Sequence, residues 1–288
     1  MKILVIGASG LVGSAIYETL IDQYEVIGTY NNFKIENFKK LNLSDQIETN
    51  SFFKHNKFDV IVCCSALTNV DYCEENHDES FLNNVITVRN LLNSIQNQNT
   101  KIIYISTDYV FNGESGPYKE EDLTDPISIY GKHKLMAENL ISDNSINNVV
   151  IRVTNVFGPE MRSKNFLSRL LNYKGTEELF LPIDQYATPI YSFDIGQLVN
   201  RILESNNKGL YHLGGYEYLS RQDIADLFNH YSKDKIKYKT FVTSNSFQAA
   251  TRPLLGGLRN LRLKKDFPDF KFTTIQMFIK QMLNFEAK

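Results

Sequence analysis

Three side chains near the middle of this sequence have the types and spacing for proton transfer at a carbonyl: Thr107, Tyr130 and Lys134. Tyr130 leads Lys134 by four residues in the run YGKHK, and residues four apart share a helix face. A free tyrosine titrates near 10, too high for easy proton exchange at neutral pH. A lysine ammonium within a few ångströms favours the phenolate and lowers that value. Thr107 ends the run KIIYIST and adds a hydroxyl that can hold a substrate oxygen. Alone, Tyr-x-x-x-Lys is more often a partly solvated helix face than a catalytic pair. The elements around it decide its meaning.

Those elements alternate through the first half of the chain. Short apolar strands are expected at 2–6, 25–29, 41–43, 59–65, 101–106 and 148–154. Helices are expected at 12–22, 45–56, 78–96 (with Asp78 as N-cap) and 128–141, the last preceded by Pro126. Near-continuous Val/Ile strands alternating with helices predict an α/β fold: a doubly wound parallel sheet of the Rossmann type. After Gly158 the pattern loosens, apart from a helix near 193–204 and a strand near 210–213. Residues 1–158, with 191–215 returning to them, are expected to form the nucleotide-binding domain. Residues 159–190 and 216–288 are expected to form a smaller, interleaved C-terminal substrate lobe.

The first strand runs into GASGLVG, residues 7–13. This G-x-x-G-x-x-G turn sits between a strand and a helix, as a dinucleotide-binding turn requires. Gly7 permits the turn, Gly10 lets the backbone approach a pyrophosphate, and Gly13 lets helix and strand pack. The phosphates would lie at the helix N-terminus, where free N–H groups and the dipole favour anions. The second strand ends in Thr29-Tyr30-Asn31-Asn32, with no acid to hold a ribose 2′-hydroxyl and Lys34 as the nearby base. NADPH is therefore expected, with NADH the alternative. A bound dinucleotide gives Tyr130 its reaction, protonation of a carbonyl oxygen that Thr107 orients while Lys134 holds the nicotinamide ribose.

The net charge of −2 gives no reason to expect a nucleic acid or an acidic membrane as partner. No apolar stretch approaches the roughly 18 residues of a membrane span, and the N-terminus reads as a strand rather than a signal peptide, so a cytoplasmic protein is expected. Cys63, Cys64 and Cys73 have no disulfide or zinc spacing and read as buried thiols; the five histidines form no ligand set, so no metal is predicted. His133 points about one helical residue away from the Tyr130 face and is expected at the surface, or supporting the site from outside.

Several longer runs carry a family resemblance. GASGLVG, the hydroxyl after the central strand and Y-x-x-x-K together resemble the extended short-chain dehydrogenase/reductase family. STDYVFNGESGPY (106–118), P-x-S-x-YGKHK (126–134), SALTNVDYCEE (65–75), NNV (83–85), RVTNVFG (152–158) and DQYATP (184–189) resemble its dTDP-4-dehydrorhamnose reductase group. The resemblance implies reduction, by NAD(P)H, of the 4-keto group of a nucleotide-activated 6-deoxy sugar, with Tyr130 as proton donor, in surface polysaccharide synthesis.

It further implies that Gly7, Ser9, Gly10, Leu11, Val12, Gly13, Tyr30, Asn31, Asn42, Leu43, Ser65, Ala66, Leu67, Thr68, Tyr130 and Lys134 face the cofactor. Val70, Thr107, Asp108, Tyr109, Asn155 and Arg252 would face the sugar nucleotide. Family members are often dimers, so a homodimer is among the expectations. Three positions depart from or bear on the pattern. Asn42-Leu43 stands where the family commonly has Asp-Leu. Asn155 stands where a tryptophan is usual, which leaves the sugar open. Arg252-Pro253 fits an Arg-Pro element, Arg252 being either a diphosphate ligand or a surface arginine. Thr107-Asp108-Tyr109 lacks the glutamate of the related dehydratases, which argues against elimination. Two rival readings accompany the reductase. One is a regulatory subunit similar to the β subunit of methionine adenosyltransferase; the other is a sugar-nucleotide epimerase or epimerase-reductase.

Overall fold

The computed structural model describes residues 1–283 except 98, 161, 163, 176–177 and 246–247. The strands are β1 (Lys2–Ile6), β2 (Glu25–Tyr30), β3 (Lys39–Lys40), β4 (Val60–Cys63), β5 (Lys101–Thr107), β6 (Val149–Val153), β7 (Leu179–Pro182), β8 (Tyr186–Ala187), β9 (Gly209–Leu213), β10 (Leu219–Ser220) and β11 (Tyr238–Phe241). The helices are α1 (Leu11–Leu20), α2 (Gln46–His55), α3 (Val70–Glu75), α4 (His77–Phe81), α5 (Thr87–Ser94), α6 (Ile129–Asn144), α7 (Phe166–Leu171), α8 (Ser192–Ser205), α9 (Arg221–Tyr231), α10 (Leu261–Asp266) and α11 (Ile275–Met282).

A seven-stranded sheet runs in the order β3-β2-β1-β4-β5-β6-β9, with every pairing parallel. The Rossmann-type expectation is met. Alternation along the buried strands sends side chains to two cores. Ile3, Val5, Ile103 and Ile105 meet α1 and α8 on one face, while Leu4, Ile61, Ile102 and Tyr104 meet the α5 and α6 side on the other. A third core gathers Leu167 and Leu181 from between β6 and β9 with Ile224, Phe228, Ile275 and Phe278 from beyond β9. Strand order reverses between β1 and β4, which opens a crevice beyond their carboxyl ends.

Local chemistry fixes several boundaries. Asp45 caps α2 by accepting from the backbone N–H groups of Ile47 and Glu48, and Ser128 caps α6 through Gly131 N–H. Ser220 and Asp223 form a reciprocal capping box on α9. Two expectations need correction. The third strand is Lys39–Lys40 rather than 41–43, because Leu41 and Leu43 turn into the core. The long helix expected at 78–96 starts at His77 after Asn76, so Asp78 lies in its first turn instead of capping it, and it is broken by a π-helical turn at Leu82–Ile86. Among the described residues no helix is long and apolar enough to cross a membrane.

Candidate active site

A cleft of about 750 Å³ lies over the carboxyl ends of β1, β4, β5 and β6, roofed by the third core. Its floor begins with the glycine turn. Gly7 sits at φ 77°, and a Cβ on Gly13 would stand 2.3 Å from the Gly7 carbonyl oxygen. The third glycine is therefore set by the close packing of α1 on the turn. Gly10 is the N-cap of α1 and supplies no side-chain cap. First-turn N–H groups are thus left for an anion, as a dinucleotide cradle needs. Thr29 tightens the same turn, its Oγ1 accepting from Gly7 N–H at 3.3 Å.

The candidate catalytic side chains come from β5 and α6. Thr107 ends β5, is buried, and its Oγ1 accepts from Tyr109 N–H at 3.2 Å, opening the short 3-10 turn Asp108–Val110. That turn approaches α6 closely because residue 131 is glycine: a Cβ there would lie 2.1 Å from the Tyr109 carbonyl oxygen. The contact sets the Tyr109 and Tyr130 rings edge to face, with centroids 5.7 Å apart. Tyr130 is buried at the cleft, 7% exposed. Burial pushes its phenol above the ordinary range, and the neighbouring Thr107 hydroxyl offsets part of that rise.

The expectation that Lys134 lowers the Tyr130 phenol is not what this geometry shows. Lys134 Nζ donates instead to the Tyr104 phenol oxygen at 2.5 Å and to the Ile105 carbonyl at 2.8 Å. Burial pulls the lysine down to about 8. Two other expectations change for similar reasons. Asp108 is buried with its carboxylate already committed: Oδ2 accepts from Thr154 Oγ1 at 2.6 Å and Gly257 N–H at 3.0 Å, and Oδ1 from Thr107. It shapes the cleft wall and joins the sheet to the 250s segment. His133 is buried, its Nδ1 2.8 Å from Ser80 Oγ, and packs on Phe81; of its two expected positions, only the surface one is excluded.

Of the remaining candidates, Leu11, Val12, Ala66, Thr68, Val70, Asn155 and Arg252 line the cleft. Asn155 has φ 37°, a left-handed conformation in which asparagine is one of the few tolerated side chains. Its identity is thus accounted for by the backbone as well as by the cleft it faces. Ser9, Tyr30, Asn31, Asn42 and Ser65 lie outside the lining. Asn42 Oδ1 is occupied by Ser44, and Leu43 is 3% exposed in the core, so Leu43 is not a ligand-facing side chain. Leu67 contributes backbone: its N–H donates to Asn84 Oδ1 at 3.0 Å and its carbonyl accepts from Asn84 Nδ2 at 3.2 Å. The π-helical turn aims this buried asparagine at the 66–68 loop. Periodicity alone gave no sign of it. Cys64, expected to be buried, is partly open and lines the cleft, and all three cysteines are free.

The upper wall is cationic. Arg169 on α7, Arg221 at the start of α9, and Arg252 line it together with Arg162 and Lys164. Arg221 lies 4.7 Å over the Phe166 ring. Arg252 Nη2 contacts Asp71 Oδ2 at 2.5 Å, while its Nη1 is buried without a hydrogen-bond partner. Sequence reading found only Arg252, since the others come from the 162–169 segment and the start of α9, which are far apart in sequence and share no motif. Among the described residues no three His, Cys, Asp or Glu side chains converge as a metal site.

Comparison with known proteins agrees with this architecture. The family model for the RmlD substrate binding domain matches residues 1–286. The spore coat polysaccharide biosynthesis protein SpsK of Bacillus subtilis is 34% identical over 227 residues, covering 78% of this chain and 77% of that protein. Methionine adenosyltransferase 2 subunit beta of Xenopus tropicalis is 30% identical over 241 residues, covering 79% and 72%. The crystal structure of a dTDP-4-dehydrorhamnose reductase from Clostridium acetobutylicum superposes with a TM-score of 0.87 at 29% identity, covering 99% of each chain.

Proposed function

The chain belongs to the RmlD substrate-binding-domain family, and within it we propose an NADPH-preferring reductase of the 4-keto group of a nucleotide-activated 6-deoxy sugar. The observation that carries this reading is one cleft holding a glycine cradle, a buried Thr107–Tyr130 pair and an arginine-lined wall. We assign residues 1–158 and 191–215 to cofactor binding, and 159–190 with 216–288 to the sugar nucleotide. Bound reduced nicotinamide supplies the hydride.

The chain's own residues do the rest. The Gly7–Gly13 turn and the free N–H groups of α1 bind the pyrophosphate. The end of β2 offers Thr29, Tyr30 and Asn31 and no carboxylate, so nothing there repels a 2′-phosphate. Lys134, charged below about 8, holds the ribose. Thr107 orients the sugar carbonyl. Tyr130 gives its proton to O4, and a phenol raised by burial stays loaded for that step across the neutral range. Arg221 and Arg252, which line the same wall, face the nucleotide diphosphate, for which a guanidinium is suited.

The test is loss of NADPH absorbance with dTDP-4-dehydrorhamnose and a panel of related keto-sugar nucleotides. Turnover of one of them supports the reading. NADPH binding with no turnover across the panel contradicts it and favours the second reading, a non-catalytic subunit. That second reading rests on the likeness to methionine adenosyltransferase 2 subunit beta.

A further inference from the structure

Lys134 is 2% exposed, and the groups that face it carry no free negative charge. From the β4 side come the Cys63 and Cys64 thiols, both pushed up by desolvation and therefore neutral at neutral pH. From its own helix come Tyr130, a protonated phenol, and Glu138, whose carboxylate is occupied by the Arg152 guanidinium of β6 at 2.8 to 3.2 Å. An ammonium carries three donors. Two are used, on the Tyr104 phenol oxygen at 2.5 Å and the Ile105 carbonyl at 2.8 Å. The ammonium also lies 4.0 Å from the centroid of the Tyr104 ring, within cation–π range.

Alternation along β5 explains why Tyr104 is there. Ile103 and Ile105 face the α1 side, and Tyr104 faces α6 and is 1% exposed. A tyrosine buried in an aliphatic sheet carries a hydroxyl that needs a partner. Here that partner is the lysine.

We propose that Tyr104 is the positioning residue of Lys134. Its phenol oxygen and ring replace the water the ammonium has lost, and they hold Nζ with one N–H left for the cofactor ribose. This role rests on the reductase reading above for its use in turnover. The holding of the lysine itself does not.

Tyr104→Phe keeps the ring and removes only the oxygen, so the packing of β5 on α6 is preserved. The first measurement needs no ligand. The ¹³Cε resonance of Lys134 is followed against pH in lysine-labelled protein and assigned by its absence in Lys134→Met. The wild-type midpoint is expected near 8. In Tyr104→Phe it is expected lower by about one unit or more, the weight of a hydrogen bond to a charged donor. An unchanged midpoint overturns the proposal.

The second measurement is NADPH affinity and the alkaline limb of kcat/KM. Both are expected to shift to lower pH with the resonance. A resonance that moves while affinity and the limb stay fixed also overturns it, because the lysine would then serve nothing in the cleft. If NADPH affinity shifts with the resonance but neither protein turns over any keto-sugar, Tyr104 keeps its role and the reductase reading fails.

Discussion

At the scale of single residues, the cleft separates two groups that sequence spacing had joined. Tyr130 and Lys134 do share a helix face, but burial acts on them in opposite directions, raising the phenol and lowering the ammonium to about 8. For a reduction both states are the useful ones, a protonated phenol and a charged lysine. The charged lysine is present below its folded value and lost above it. Turnover is therefore expected to fall roughly tenfold per pH unit as pH rises beyond about 8, read as the alkaline limb of kcat/KM. A flat profile between pH 7 and 10 would exclude Lys134 as an essential cation. The sign for stability is opposite. A lysine depressed from 10.5 costs stability while charged, so between about 8 and 10.5 its contribution becomes less unfavourable as pH rises. Arg252 belongs to this scale too. Arg252→Ala is expected to raise the sugar-nucleotide KM by about tenfold or more with little change in kcat, through loss of charge-assisted bonds to a diphosphate. An unchanged KM would make it only the partner of Asp71.

At the scale of elements, two close approaches set the geometry. Gly13 lets α1 start directly on the turn, and a Cβ there would strike the backbone of Gly7 and Ala8 at 2.3 and 2.8 Å. Backbone cannot step aside cheaply, so Gly13→Ala is expected to weaken NADPH binding by about tenfold or more and to lower Tm, measured by fluorescence titration and thermal melting. Unchanged affinity would detach the glycine turn from the cofactor. Helix α6 carries both Tyr130 and Lys134 and is tied to β6 by the buried Glu138–Arg152 pair, with both side chains 7% exposed or less. Glu138→Ala leaves a buried guanidinium uncompensated and is expected to cost about 3–5 kcal/mol in urea unfolding. A loss below about 1 kcal/mol would show that water reaches Arg152.

At the scale of the whole molecule, the sheet was legible because its signals are local. Apolar runs such as KILVI and KIIYIS between helices, and a glycine turn after the first strand, specify strand, turn and helix within a few residues. The helix at 128–141 was equally legible from Pro126 and Ser128. What escaped reading depends on contacts between distant segments. Tyr104 meets Lys134 thirty residues on, Asn84 clamps Leu67 from a π-helical turn, and Asp108 takes its partners from Thr154 and Gly257. The arginine wall assembles from α7, α9 and the 250s segment, which share no motif. Leu43 was assigned to the cofactor by family resemblance alone, and a resemblance does not say whether a leucine side chain faces a ligand or the core, where this one lies. The central claim, that this assembled cleft reduces a keto-sugar with Tyr130 as proton donor, has one direct test. NADPH consumption with dTDP-4-dehydrorhamnose is measured for wild type beside Tyr130→Phe, with NADPH affinity measured for both. The expected result is wild-type turnover, a fall of about 10²-fold or more in kcat for the variant, and equal affinity. Equal turnover in the two proteins would contradict it.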